Sequence, residues 1–256
     1  GQVYHSLTLR SQLENIERQL YVETNKTRQR LKQFSLQLST LITNSEKFKN
    51  SLTSEQKSDI HHYFTRLQTI PFMQSGVLNV RYAYLYDENN KQILGLEYSG
   101  EKTLVSKNTV CGKIISTSKP TDFSVVTDVF YGLCEYEKKA YMSVRVPYVS
   151  GKKTGYLELV SDISTNLAHI DQILNFPIRL RLPDNTTLYI SDSWPEKYDQ
   201  DSVAMYPIKD DFGETVVMLN ALHHDANLEE ALSFAQLLVI TGAVISILMA
   251  VILVLF

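Results

Sequence analysis

Residues 234–256, Phe234 to Phe256, form a run of 23 residues without a single charge. As a helix rising about 1.5 Å per residue, such a run reaches about 34 Å, enough to cross a hydrocarbon core of about 30 Å with some tilt. Gln236, Thr241, Gly242 and Ser246 interrupt the run without breaking it. Gly242 and Ser246 make a small-xxx-small pair, which reads either as a helix-dimer face or as small residues scattered along a lone anchor. Beyond Lys209 there is no Lys or Arg, and the approach to the run carries Asp210, Asp211, Glu214, Asp225, Glu229 and Glu230. Cytoplasmic flanks are enriched in basic residues, so residues 1–230 are expected outside the cytoplasm. The chain stops within the apolar run, as a tail anchor does or as a piece of a longer protein does; the second reading is preferred.

About 230 residues outside the run allow one large or two small domains. Their makeup is that of a folded body, with 44% hydrophobic and 21% charged residues overall. A formal charge of -3 leaves no electrostatic footprint for nucleic acid, and no such partner is expected. Cys111 and Cys134 are the only cysteines. An even count outside the cytoplasm makes a disulfide the leading reading, with two free buried thiols as the alternative. Their spacing matches no zinc pattern, and neither a metal nor a cofactor is implied.

The N-terminal part reads as one long helix. Leu9, Leu13, Ile16, Leu20, Leu31, Phe34, Leu38, Leu41, Phe48 and Leu52 fall on a single seam in steps of three and four, once Thr24, Thr27 and Ser45 are counted as its polar members. Neither Gly nor Pro occurs between Gln2 and Ile70, so nothing forces a break. A helix over residues 9–52 would run about 66 Å and span more than one packed unit. The seam threonines either mark a change of partner, with a second copy paired near the membrane, or belong to an amphipathic helix lying on one monomer. Thr53-Ser54-Glu55-Gln56 then resembles an N-cap for a second helix carrying Ile60, Phe64 and Leu67, ended by Pro71. The adjacent His61 and His62 point to different faces and make a poor metal pair.

From Gly76 the period falls to two. Tyr82, Tyr84 and Tyr86 share one face of a strand and Ala83 and Leu85 the other; Asp87-Glu88-Asn89-Asn90 turns the chain into a partner strand over residues 92–98. Residues 100–135 read as mixed loop with a short helix over 112–117. A second hairpin pairs residues 140–149 with 154–162 across Ser150-Gly151-Lys152-Lys153. If Val149 faces Thr154, then Arg145 faces Glu158, Ser143 faces Val160 and Tyr141 faces Asp162. Tyr141, Ser143, Arg145, Glu158 and Asp162 then share one face, either a solvated one or a pocket for a small polar ligand. Met142, Val144, Val146, Leu157 and Leu159 form the core face. Residues 166–174 read as a connecting helix, followed by four short strands at 177–182, 186–190, 203–208 and 215–221. This second part, of about 50 residues, is marginal alone and is expected to lean on the first and on the long helix.

The stretch from Tyr141 to Ser164, with its Val-Pro strand end, short turn, Gly before apolar residues and closing Asp-Ile-Ser, resembles the central hairpin of Cache domains, the extracytoplasmic PAS-like sensor modules of bacterial receptors. The order of elements around it is also similar. The resemblance implies an α+β fold in which a long N-terminal helix packs on two stacked PAS-like antiparallel-sheet lobes and a C-terminal transmembrane helix follows. It divides the chain into a stalk helix at 1–52, a membrane-distal lobe at 53–164, a smaller proximal lobe at 165–224, and a juxtamembrane and membrane segment at 225–256. In amino-acid-binding double Cache domains an aspartate closing this hairpin holds the ligand amine, and Asp162 matches it. The Arg-x-Trp-Tyr element of those receptors is missing, the sole tryptophan being Trp194.

The resulting expectation is a ligand-sensing region on the periplasmic side of the inner membrane, a homodimer, with Tyr82, Tyr84, Tyr141, Arg145 and Asp162 as ligand-binding residues and the output domain outside this chain. No phosphate loop, nucleophile motif or metal-ligand spacing suggests catalysis. Two other readings stay open: a docking module for a periplasmic binding protein, and a tail-anchored coiled-coil protein without a sensing role.

Overall fold

The computed structural model describes residues 2–54, 57–100, 102–107, 109–112 and 129–223. The apolar run at 234–256 and all but Gly112 of the expected helix at 112–117 lie outside these residues. Among the described residues no helix is long and apolar enough to cross a membrane.

The first helix, α1 (Gln2–Thr43), is long, as the seam requires, but it stops earlier than expected. Asn44 turns the chain, and Ser45 starts α2 (Glu46–Thr53) as its N-cap, its hydroxyl accepting from the Phe48 amide at 3.4 Å. Short polar side chains that hydrogen-bond nearby backbone compete with helix continuation, and three of them stand together at Thr43-Asn44-Ser45. The buried lane also drifts from the expected seam. Ile16, Leu20, Thr24, Leu31, Ser35, Leu38 and Ile42 are buried, whereas Leu41 is 58% exposed. With the half-buried Thr27 counted as a member, the lane makes seven steps in the 26 residues from Ile16 to Ile42, about 3.7 per step. That matches a straight helix lying on sheets and not the 3.5 of a left-handed coiled coil.

Helix α3 (Lys57–Arg66) buries Ile60 and Phe64 and leaves His61 and His62 exposed. After a single 3-10 turn, Pro71 opens the short α4 (Pro71–Gln74) at its first position, where a missing amide costs nothing. The larger sheet contains β1 (Asn79–Asp87), β2 (Gln92–Ser99), β3 (Lys102–Val105), β4 (Phe130–Tyr136), β5 (Lys139–Ser150) and β6 (Lys153–Asp162), in the antiparallel order β3-β2-β1-β6-β5-β4. The strands β3 and β4 replace part of the expected loop. The β5–β6 register is the expected one: Val149 faces Thr154, Arg145 faces Glu158, Ser143 faces Val160 and Tyr141 faces Asp162. Its loop is tighter than four residues, because Ser150 pairs with Lys153 and Gly151 takes the positive φ of 62° at the first loop position.

The connecting helix is two short pieces, α5 (Ser164–Ala168) and α6 (Ile170–Leu174), separated at His169 and ended by Asn175 at φ 55°. The smaller sheet has the order β8-β7-β10-β9, built from β7 (Ile178–Arg181), β8 (Thr187–Ile190), β9 (Val203–Lys209) and β10 (Thr215–Leu222). Its four strands match the expected positions. Helix α1 runs beside β9 at one end and β5 and β6 farther along, so it does touch both sheets. One continuous apolar core joins Leu20, Leu38, Phe64, Leu85, Val144 and Leu159 to Leu180, Ile208 and Leu219. The smaller sheet therefore shares its core with the larger, as its size demanded.

Candidate functional site

Strand alternation divides the larger sheet into two unlike faces. Ala83, Leu85, Met142, Val144, Val146, Leu157 and Leu159 enter the common core. A bulge between Val80 and Tyr82 turns Val80 to that same side despite its even spacing from the tyrosines. The other face gathers Tyr82, Tyr84, Tyr86, Tyr141, Tyr156 and Val160 into a second cluster with Val110 and Cys111. Pairing sets this face out in rows: Tyr84, Glu158, Arg145 and Phe130 lie across β1, β6, β5 and β4, and Tyr82, Val160, Ser143 and Gly132 make the next row. Asp162, Tyr141 and Cys134 follow.

Arg145 and Glu158 are both wholly buried. The Arg145 guanidinium lies 4.1 Å from the Tyr156 ring centroid and 4.8 Å from that of Tyr86, and it donates to the side-chain oxygen of Asn90. Asn90 reaches it from the β1–β2 turn, where Asp87 Oδ1 accepts from the Asn89 and Lys91 amides and Asn90 itself takes φ 63°. The Glu158 carboxylate accepts from the Ser143 hydroxyl at 2.5 Å and from the Tyr86 phenol at 2.8 Å. Burial pushes the Glu158 carboxyl above the ordinary range, against the opposing pull of these hydroxyls and of Arg145. Burial likewise lowers the Arg145 pKa, which leaves a guanidinium charged at neutral pH.

The tyrosines form a row along β1. The Tyr82 and Tyr84 rings are parallel, with centroids 6.1 Å apart, and Tyr141 meets Tyr82 edge-on at 5.7 Å. Tyr84 Oη lies 3.1 Å from Ser106 Oγ and accepts from the Val110 amide at 3.4 Å; burial pushes its phenol up to about 12. Burial also raises Tyr82, Tyr86 and Tyr141. The disulfide is present: Cys111 joins Cys134 with their Cα atoms 5.4 Å apart.

Four of the five residues singled out from sequence, Tyr82, Tyr84, Tyr141 and Arg145, are thus brought together and buried. Asp162 stands beside Tyr141 at the rim, half-buried, with Oδ1 accepting from the Ser164 amide at 2.9 Å, a local turn bond. Tyr86, Tyr156, Glu158, Ser143 and Asn90 complete the polar centre. Of these, Tyr86, Ser143 and Glu158 already lay on the expected face by alternation; Asn90 carried no signal, because its contact depends on where the turn lands. Cavities that include none of the five open elsewhere, among them one of about 450 Å³ between α1 and α3 beside Leu41 and Tyr63 and one of about 640 Å³ between the two sheets, bounded by the disulfide, Tyr136, Pro183 and Phe212.

No family model matches the chain, and no curated protein matches it. Solved structures do. The extracellular domain of vpHK1S-Z8, described as a histidine kinase, is 13% identical, with a TM-score of 0.48 over 83% of this chain and 94% of that one. The sensory domain of the Campylobacter jejuni chemoreceptor Tlp3 is 15% identical, with a TM-score of 0.47 over 86% and 96%. The ligand-binding domain of the same receptor, described in complex with L-valine, is 16% identical, with a TM-score of 0.46 over 86% and 96%. The structural neighbours are sensory domains.

Proposed function

We propose that the chain is the extracytoplasmic ligand-sensing region of a transmembrane signalling receptor, and that a small polar molecule binds on the tyrosine face of the larger sheet. The observation that carries this reading is the wholly buried pair of Arg145 and Glu158 on the sheet face turned away from the common core. Burying two charges costs more than a well-packed apolar pair, so stability alone gives no reason to keep them there. Buried ionisable groups with shifted pKa values gather at functional sites.

In this reading Tyr82, Tyr84 and Tyr141 supply ring walls and hydroxyls, Arg145 the cationic contact, and Asp162 an anionic contact at the rim. The distal lobe is residues 53–164 and the proximal lobe 165–224. The signal leaves through α1 and the apolar segment at 234–256, with a second copy of the chain as the natural partner across the membrane. A ligand drives such a change only by binding two conformations unequally.

The test is thermal unfolding of the full chain in nanodiscs against a metabolite panel that includes free amino acids, amines and carboxylates. At 100 times its Kd a ligand adds about 2.7 kcal/mol, a shift of a few degrees in Tm. At least one compound is expected to produce it, and Arg145→Ala and Asp162→Ala to abolish it. A panel with no stabilising compound, or a shift indifferent to both substitutions, overturns the reading.

A further inference from the structure

A strap whose described residues are Ser106, Lys107 and Thr109–Cys111 lies against the tyrosine face of the larger sheet and is fastened at both sides. At one end the Ser106 amide donates to the Gly95 carbonyl on β2 at 2.8 Å, and the Gln92 side chain donates to the Ser106 carbonyl at 2.9 Å. At the other, Cys111 is bonded to Cys134 on β4. The two anchors stand four strand spacings apart, about 19 Å at about 4.8 Å each.

Along this path it touches the hydroxyls of the site. Ser106 and the Val110 amide meet Tyr84, Thr109 meets the Tyr86 phenol, and Val110 is 1% exposed within the tyrosine cluster. Two backbone features fit this placement. A Cβ on Gly95 would lie 2.2 Å from the Ser106 carbonyl oxygen, so only glycine lets the segment lie down on β2. Cys111 has φ 62°, a left-handed conformation that a non-glycine residue keeps only where its surroundings hold it.

We infer that this strap, fastened by the Cys111–Cys134 bond, is a positioning element of the proposed ligand site: it fixes the Tyr84 and Tyr86 hydroxyls and keeps water from the polar centre. The inference rests on the ligand-sensing reading for the word ligand, but its test does not.

Full-length wild type and the Cys111→Ser/Cys134→Ser double variant are treated with tetranitromethane at pH 8, and nitration is mapped by peptide mass spectrometry. Tyr98 and Tyr148, buried in the common core, serve as controls. Tyr84, Tyr86, Tyr98 and Tyr148 are all expected to react slowly in wild type. In the double variant Tyr84 is expected to react more than tenfold faster while Tyr98 and Tyr148 stay slow. An unchanged Tyr84 overturns the inference, and so does an equal rise at all four, which makes the disulfide a global staple. Val110→Gly, with the disulfide intact, is expected to raise Tyr84 alone by a smaller factor, and it decides the matter by the same criteria if the double variant does not fold. A panel without ligands leaves a positive nitration result standing, and a negative one leaves ligand binding untouched.

Discussion

Both carboxylate oxygens of Glu158 are held by hydroxyls of its own sheet, and burial still raises its pKa above the ordinary value. Between the unfolded value, about 4.3, and that raised folded value, the native state keeps a proton that the unfolded chain has released. Stability therefore falls as pH rises through this window and levels off above the folded pKa. Glu158→Gln has no proton to lose. Near pH 4 its Tm should lie close to that of wild type, and by pH 8 the variant should be the more stable; a gap constant from pH 4 to pH 8 contradicts the sign. At this scale the sequence was informative where the two-residue period ruled. Alternation and a short turn were enough to set Arg145 opposite Glu158, because a slip of one residue would have turned every core side chain outward. Asn90 was invisible because a turn residue's tertiary partner has no period.

Among elements, α2 begins at its break from α1 under the cap of the Ser45 hydroxyl. Removing an N-cap of this kind costs about 1 kcal/mol, so Ser45→Ala should lower the urea midpoint with an unchanged m-value, and an unaltered midpoint would show that packing alone sets the break. The cap was hidden in sequence because Ser45 also fits a helical seam. The strands of the smaller sheet were legible for the opposite reason: Pro183-Asp184-Asn185 and the Asp210–Gly213 turn punctuate them, with Asn185 at φ 70° and Gly213 at φ 84°. Strand β4 lacked such marks. Its turn into β5 uses Glu137 and Lys138 at φ 46° and 60°, where Asn-Gly would have announced a hairpin.

For the whole molecule the decisive fact is the single core shared by both sheets through α1. Leu20 and Leu38 are both fully buried in it. Each Leu→Ala change should cost about 2–5 kcal/mol, and calorimetry should show one transition moving as a unit in either variant. Two separating transitions would mean that the sheets unfold independently. A surface contact also crosses between the sheets: Lys138, in the β4–β5 turn, meets Asp184, in the β7–β8 turn, and holds the Asp184 carboxyl down to about 2. The pair is too exposed to bind the sheets together, which leaves that task to the core.

The drift of the buried lane along α1 has a mechanical side. Thr24, Ser35 and Ser39 are small and buried, and they give the helix shallow footing on the sheets. Resistance to lengthwise sliding is concentrated in Ile16, Leu20, Leu31, Leu38 and Ile42. A full helical turn, about 5.4 Å, would lift all five from their seats at once, so the grip of α1 on the two sheets rests on a few large side chains and not on its whole length.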